Sequence, residues 1–106
     1  MILTPYHPVR INNVDYFPIN IGTPLPYGGY VYDVVLSNRG LLMCCNVYGA
    51  TFGHTETSDI FQHDYFGSEQ VVNDLKLNKE YCNGYIESFK TVTEYGNERI
   101  KRMTFT

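Results

Sequence analysis

The apolar and polar positions along this chain form short β-type runs separated by turn residues. Residues 9–11 and 14–21 flank the pair at 12–13, which is Asn-Asn. Asn tolerates the positive φ that a two-residue hairpin turn requires, so the pattern predicts a hairpin here. Its register places Arg10 opposite Asp15, which is a compatible cross-strand pair.

The strongest strand signal lies in residues 30–36 (YVYDVVL), which are rich in aromatic and β-branched side chains. The four residues that follow end in Gly40 and fit a bulged turn closed by a left-handed glycine. Residues 41–48 (LLMCCNVY) are apolar without alternation, which predicts a strand covered on both faces. We therefore expect this hairpin to form the core, with Cys44 and Cys45 as buried, unbonded thiols.

The middle of the chain, residues 49–67, is the least regular stretch. Thr57 or Ser58 is expected to cap a short helix there. Ser68 is a second candidate cap, and it precedes a run with apolar residues at helical spacing. The apolar stripe of that second helix consists of Val71, Val72 and Leu75.

The C-terminal part predicts one more hairpin. Residues 85–94 and 99–106 flank a turn in which Gly96 occupies the first central position of a type II′ turn. The register then pairs Glu94 with Arg99. A helix at the start of this segment is the main alternative.

Together these elements predict an α+β fold. We expect a mainly antiparallel sheet of about six strands in hairpins, with one or two short helices between strands four and five. The length of 106 residues suits a single globular domain over residues 1–106.

Composition and charge exclude some classes of protein. The formal net charge of −3 argues against a general nucleic-acid binder. The longest apolar run, residues 41–45, is far too short to span a bilayer, so no membrane association is expected. Three cysteines and no leader peptide suit a reducing, cytoplasmic location.

Three tyrosines around the loop rich in Pro and Gly are candidate contact residues. Tyr27 lies within that loop, and Tyr30 and Tyr32 share one face of the predicted strand. Tyrosine stacks on nucleotide bases and is enriched at protein interfaces. These three residues are therefore candidates for binding a small ligand, a nucleotide or a protein partner.

A second cluster combines imidazoles and carboxylates, which together bind zinc, manganese or iron. It contains His54, Glu56, Asp59, His63 and Asp64. Its spacing matches no familiar ligand motif, so we expect a solvated, mobile loop with no metal and no cofactor. Within this cluster His54, Glu56 and His63 are candidate partner-binding residues.

Nucleophilic catalysis would need a thiol and a base close together. The cysteines and the three histidines, His7 included, supply the types, but no spacing places them near each other. The sequence favours a non-enzymatic interaction protein, for example a small phage- or mobile-element-type inhibitor that occupies a partner's surface, with a protein partner or a homo-oligomer. The alternatives are a small-ligand or nucleotide-binding domain, and a metal-dependent hydrolase that uses the His54–Asp64 cluster.

Overall fold

The structure, a computed structural model, describes residues 1–87, 91–96 and 99–105. Within these residues six strands form two antiparallel sheets, accompanied by one short α-helix. The elements are β1 (Val9–Ile11), β2 (Val14–Tyr16), β3 (Leu42–Cys44), β4 (Val47–Gly49), α1 (Glu69–Lys76), β5 (Thr91–Gly96) and β6 (Arg99–Phe105). The β-rich, mainly antiparallel architecture expected from the sequence is thereby confirmed, although the strands divide between two sheets.

The first sheet has the strand order β2-β1-β4-β3. Its β1–β2 hairpin turns at Asn12 and Asn13, whose φ angles are 50° and 65°, as predicted. Arg10 faces Asp15, and its Nε donates to Oδ1 at 2.6 Å. Strand β2 ends earlier than expected because Pro18 begins a 3-10 turn.

The predicted central hairpin is wrong in two respects. Residues 30–36 form no strand, and Tyr30 and Tyr32 are 72% and 83% exposed. The expected single strand at residues 41–48 is itself a hairpin, because Cys45 and Asn46 adopt positive φ angles of 54° and 63°. Such a pair of left-handed residues makes a two-residue turn without glycine, which an unbroken apolar run conceals.

The cysteines are placed differently from the expectation. Cys44, Cys45 and Cys82 are free and exposed. Cys44 and Cys45 lie at the tip of the β3–β4 hairpin, so the prediction that they are buried in the core is wrong. They are unbonded, as expected.

The core lies instead between helix α1 and the loop that precedes it. Ser68 caps the helix and accepts a hydrogen bond from the Gln70 backbone, as the sequence predicts. Val71 and Val72 are 0% exposed. Ser58 begins no helix, although its hydroxyl accepts from the Phe61 backbone in a single turn. No described helix is long and apolar enough to cross a membrane.

The second sheet is the β5–β6 hairpin. Its register places Glu94 opposite Arg102, rather than opposite Arg99 as predicted. An irregularity between Glu94 and Tyr95 shifts the ladder, and sequence complementarity cannot reveal such a bulge. The predicted turn residues 97–98, the predicted strand residues 88–90 and Thr106 lie outside the described residues.

Replacement of Phe61 tests this placement of the core. Phe61 is 0% exposed, so Phe61→Ala should lower the free energy of unfolding by about 3–5 kcal/mol in urea denaturation. Val31 is 55% exposed, so Val31→Ala should change the free energy of unfolding by less than about 0.5 kcal/mol. Similar losses for the two variants would show that the segment around residue 31 belongs to the core after all.

Candidate active site

The irregular loop of residues 50–67 is packed into the protein through part of its length, although several of its polar residues, among them Asp59 and Asp64, are exposed. His54 is 4% exposed, and Phe61 is fully buried. The backbone N–H of Thr55 donates to the carbonyl of Gly67 at 2.8 Å, which closes the loop. The prediction of a solvated surface is therefore wrong for the buried residues of the loop, because its aromatic side chains supply the apolar area that buries them. The mobility of the loop stays a prediction.

His54 holds the beginning of this loop through its imidazole ring. Its Nδ1 accepts a hydrogen bond from the Glu56 backbone N–H at 2.8 Å, and its ring stands edge-on to Phe61. Burial lowers the pKa of His54, while the Glu56 carboxylate and a hydrogen bond to the Phe61 backbone act in the opposite direction. The ring is therefore neutral, with its proton on Nε2.

His63 holds the end of the loop in the same way, through hydrogen bonds of its imidazole ring. Its Nδ1 accepts from the backbone N–H groups of Tyr65 and Phe66 at 3.1 and 3.0 Å. Its Nε2 lies 2.8 Å from the Ile100 carbonyl and donates to it, which ties the loop to β6. Burial lowers the pKa of His63, and the bond to Ile100 partly offsets this effect.

These hydrogen bonds define what the predicted cluster does. Both imidazoles use their Nδ1 lone pair to accept backbone N–H groups, so neither offers it to a metal. Glu56 accepts from Arg10 Nη1 at 2.7 Å, and the Arg10 guanidinium also lowers the pKa of Asp15. Within the described residues no group of three His, Cys, Asp or Glu side chains is arranged to hold a metal ion.

The three predicted tyrosines lie away from these imidazoles. Tyr27 is 52% exposed, and its hydroxyl donates to the Tyr30 carbonyl at 3.1 Å. Tyr30 and Tyr32 line a groove whose described lining includes neither His54 nor His63. The structure therefore does not bring the two sets of candidate residues together.

A different pair of residues carries the potential for proton transfer. Nδ1 of His7 lies 3.7 Å from Oδ1 of Asp33, and their side chains are 19% and 42% exposed. This separation is that of an ion pair rather than of a hydrogen bond. Within the described residues His7 makes no side-chain hydrogen bond, so its ring nitrogens are available. Desolvation raises the pKa of Asp33, although the charge of His7 lowers it.

The first sheet positions His7. The His7 backbone N–H donates to the Thr4 carbonyl at 3.2 Å, and strand β1 begins two residues later, at Val9. Val9 pairs with Gly49 of β4, where an added Cβ would lie 3.5 Å from Nε2 of His7. Such a Cβ would make an ordinary van der Waals contact with the imidazole, so the ring lies directly beside this glycine.

Sequence reasoning did not find this pair, because the two residues belong to separate segments. One signal was present: Asp33 is the single charged residue within the apolar run of residues 30–36. A carboxylate in such a run is unfavourable unless a partner or a function compensates for it.

Comparison with known proteins identifies the family of this domain. The family model Vint, described as a Hint-domain, matches residues 1–101. The chain belongs to the Vint family of Hint domains. No curated protein matches its sequence. The matched residues of this Hint domain include the His7–Asp33 pair and both imidazoles of the packed loop.

The buried imidazole of His54 and the half-buried imidazole of His63 predict that the Hint domain is sensitive to acid. Both pKa values are lowered in the folded state, so the unfolded state binds protons at a higher pH than the folded state. The free energy of unfolding should be highest above about pH 6.5, the pKa of an imidazole in the unfolded state. It should fall as the pH decreases from there through the lower pKa values of the folded state. Each imidazole contributes a slope of up to about 1.4 kcal/mol per pH unit in urea denaturation.

The control is a double variant, His54→Asn with His63→Asn. The Asn side-chain oxygen accepts the same backbone N–H groups but does not titrate, so the slope should flatten. His7→Asn should leave the slope contributed by the loop imidazoles in place. A slope that the double variant leaves unchanged would contradict the structural role of both rings.

Proposed function

We propose that this Hint domain is a self-processing domain of the intein and hedgehog type, which rearranges a peptide bond of the polypeptide that contains it. The family match over residues 1–101 supports the class of reaction. The observation that carries the proposal is the His7–Asp33 pair, in which an imidazole without a described hydrogen bond lies 3.7 Å from a partly exposed carboxylate.

The chemistry is an acyl shift that needs no oxidant or cofactor. A thiol or hydroxyl attacks the carbonyl carbon of the peptide bond, a carbon–sulfur or carbon–oxygen bond forms, and the carbon–nitrogen bond breaks. The proton of the nucleophile ends on the departing amine. The product is a thioester or an ester that a second nucleophile can cleave.

His7 moves the proton in this proposal. A neutral imidazole accepts it from the nucleophile and returns it to the leaving nitrogen, which is the general acid–base role. The Asp33 carboxylate stabilises the imidazolium that exists between these two events. The His7 side chain remains 19% exposed, so solvent reaches the ring.

The thiols of the β3–β4 hairpin do not lie beside the pair. Gly49, which lies near the His7 ring, pairs with Leu42, whereas Cys44 pairs with Val47 at the far end of the hairpin. Cys82 belongs to the 3-10 turn Tyr81–Asn83, and Tyr81 lines the same groove as Asp33. The proposal assigns the nucleophile to the peptide segment that is rearranged.

The other functions expected from the sequence remain predictions. The inhibitor and nucleotide-binding roles, the protein or homo-oligomeric partner and the cytoplasmic location are untested. The metal-dependent hydrolase is less well supported, since binding a metal through Nδ1 of His54 or His63 would break the backbone hydrogen bonds that hold the loop.

Fusion to a reporter tests the proposal. The full chain is produced with a folded reporter joined to either end through a cysteine, and cleavage at the junction is followed by mass spectrometry with added hydroxylamine. We expect one fusion to be cleaved and His7→Ala to slow the reaction by about 100-fold or more. Asp33→Asn should slow it by at least about tenfold.

The matched control is Asp64→Asn, which removes an exposed carboxylate and should leave the rate unchanged. Thermal melting establishes that each variant is folded. Failure of both fusions to react, or reaction at the original rate in folded His7→Ala protein, would refute the proposal.

A further inference from the structure

The backbone of residues 30–34 is exposed and belongs to no described helix or strand. Its sequence favours a strand, yet within the described residues none of its backbone N–H groups donates a hydrogen bond. Only two of its carbonyls are used, since Val34 accepts from Phe52 N–H at 2.9 Å and Tyr30 accepts from Tyr27. An exposed edge of this kind is a template for a further strand.

A groove of about 800 Å³ lies along this segment, and we call it the acidic groove. Its apolar lining includes the core residue Leu75 and three side chains packed against the core, namely Val35, Phe52 and Phe105. Exposed tyrosines, including Tyr32 and Tyr85, also line it. Such a groove favours a ligand with alternating apolar side chains, because alternate residues of a strand point to one face.

The charge of the acidic groove favours a basic ligand. Asp33 and Glu87 line it, whereas no described lining residue is Lys, Arg or His. A cationic side chain in the bound strand would complement these two carboxylates.

The acidic groove is continuous with the candidate catalytic pair. Asp33 lines the groove and also lies 3.7 Å from the His7 ring. A strand added alongside residues 30–34 would therefore have its backbone beside the group that supports proton transfer.

We propose that the acidic groove binds an extended peptide strand with apolar side chains and a central basic side chain, which pairs with the backbone of residues 30–34. This inference rests on the proposed function for its biological meaning, since it names the substrate segment of the self-processing reaction. The binding itself requires no catalysis and is measured separately.

The probe is a fluorescent synthetic peptide of about seven residues, in which valine and threonine alternate around a central lysine. Fluorescence anisotropy with the full chain should show saturable binding. A peptide with glutamate in place of the lysine should bind at least about tenfold more weakly. Glu87→Gln should reduce that difference between the two peptides.

Backbone variants test the strand pairing. Successive N–H groups of a strand point to opposite edges, so one of Val31→Pro and Tyr32→Pro should weaken binding by at least about tenfold. The matched variants Val31→Ala and Tyr32→Phe retain the N–H group, so each proline variant is compared with the variant at its own position to separate loss of the N–H group from loss of the side chain. Thermal melting checks that each variant is folded.

The same titration with His7→Ala protein separates this inference from the proposed function. Unchanged binding there supports the acidic groove even if the fusions do not react. Absence of saturable binding at about 1 mM peptide, or insensitivity to both proline variants, overturns the inference even if self-processing occurs. Dimerisation through residues 30–34 would also overturn the inference if the lysine peptide does not compete with it. The occupant of the acidic groove would then be a second copy of this chain.

Discussion

The structure depends on satisfying a buried backbone that forms neither helix nor strand. Residues 53–67 alternate between buried and exposed positions without a regular hydrogen-bonding ladder, and buried N–H groups without partners are costly. His54 and His63 accept three of these N–H groups through Nδ1. Because the loop is held in this way, Phe61 can occupy the core against which β1 and Arg10 are arranged.

This requirement divides the three imidazoles between two tasks. His54 and His63 are neutral, and Nδ1 of each ring accepts backbone N–H groups. Protonation of either ring at Nδ1 would break these hydrogen bonds and disturb the packing of the loop. His7 lies at the first sheet with its ring nitrogens available and with Asp33 opposite. A proton can therefore move through His7 without disturbing the loop that supports the fold, which is why the pair, rather than the cluster, carries the proposed chemistry.

Sequence reasoning succeeded where local chemistry decides the structure. The Asn12–Asn13 turn and the Ser68 cap follow from the conformational preferences and hydrogen bonds of those residues alone. It failed where a tertiary partner decides the outcome. Residues 30–36 have strong strand propensity but no described ladder partner, and Cys45 hides a turn inside an apolar run.

The candidate site was predictable only in part, for the same reason. The histidines of the loop were identified from composition, but their role depends on which backbone groups surround them. His7 and Asp33 meet only because strand β4 lies beside β1 and the segment before β3 returns to that edge. No spacing within the sequence predicts this contact, although Asp33 can be recognised as a single carboxylate within an apolar run.

The most direct measurement of this division is the nitrogen NMR spectrum of the three imidazoles at neutral pH. The account predicts that two rings, assigned by His54→Asn and His63→Asn, carry their proton on Nε2 with Nδ1 as an acceptor. Asp33→Asn should shift the signals of His7 and leave these two unchanged. A response of His54 or His63 to Asp33→Asn, with His7 unaffected, would contradict the account.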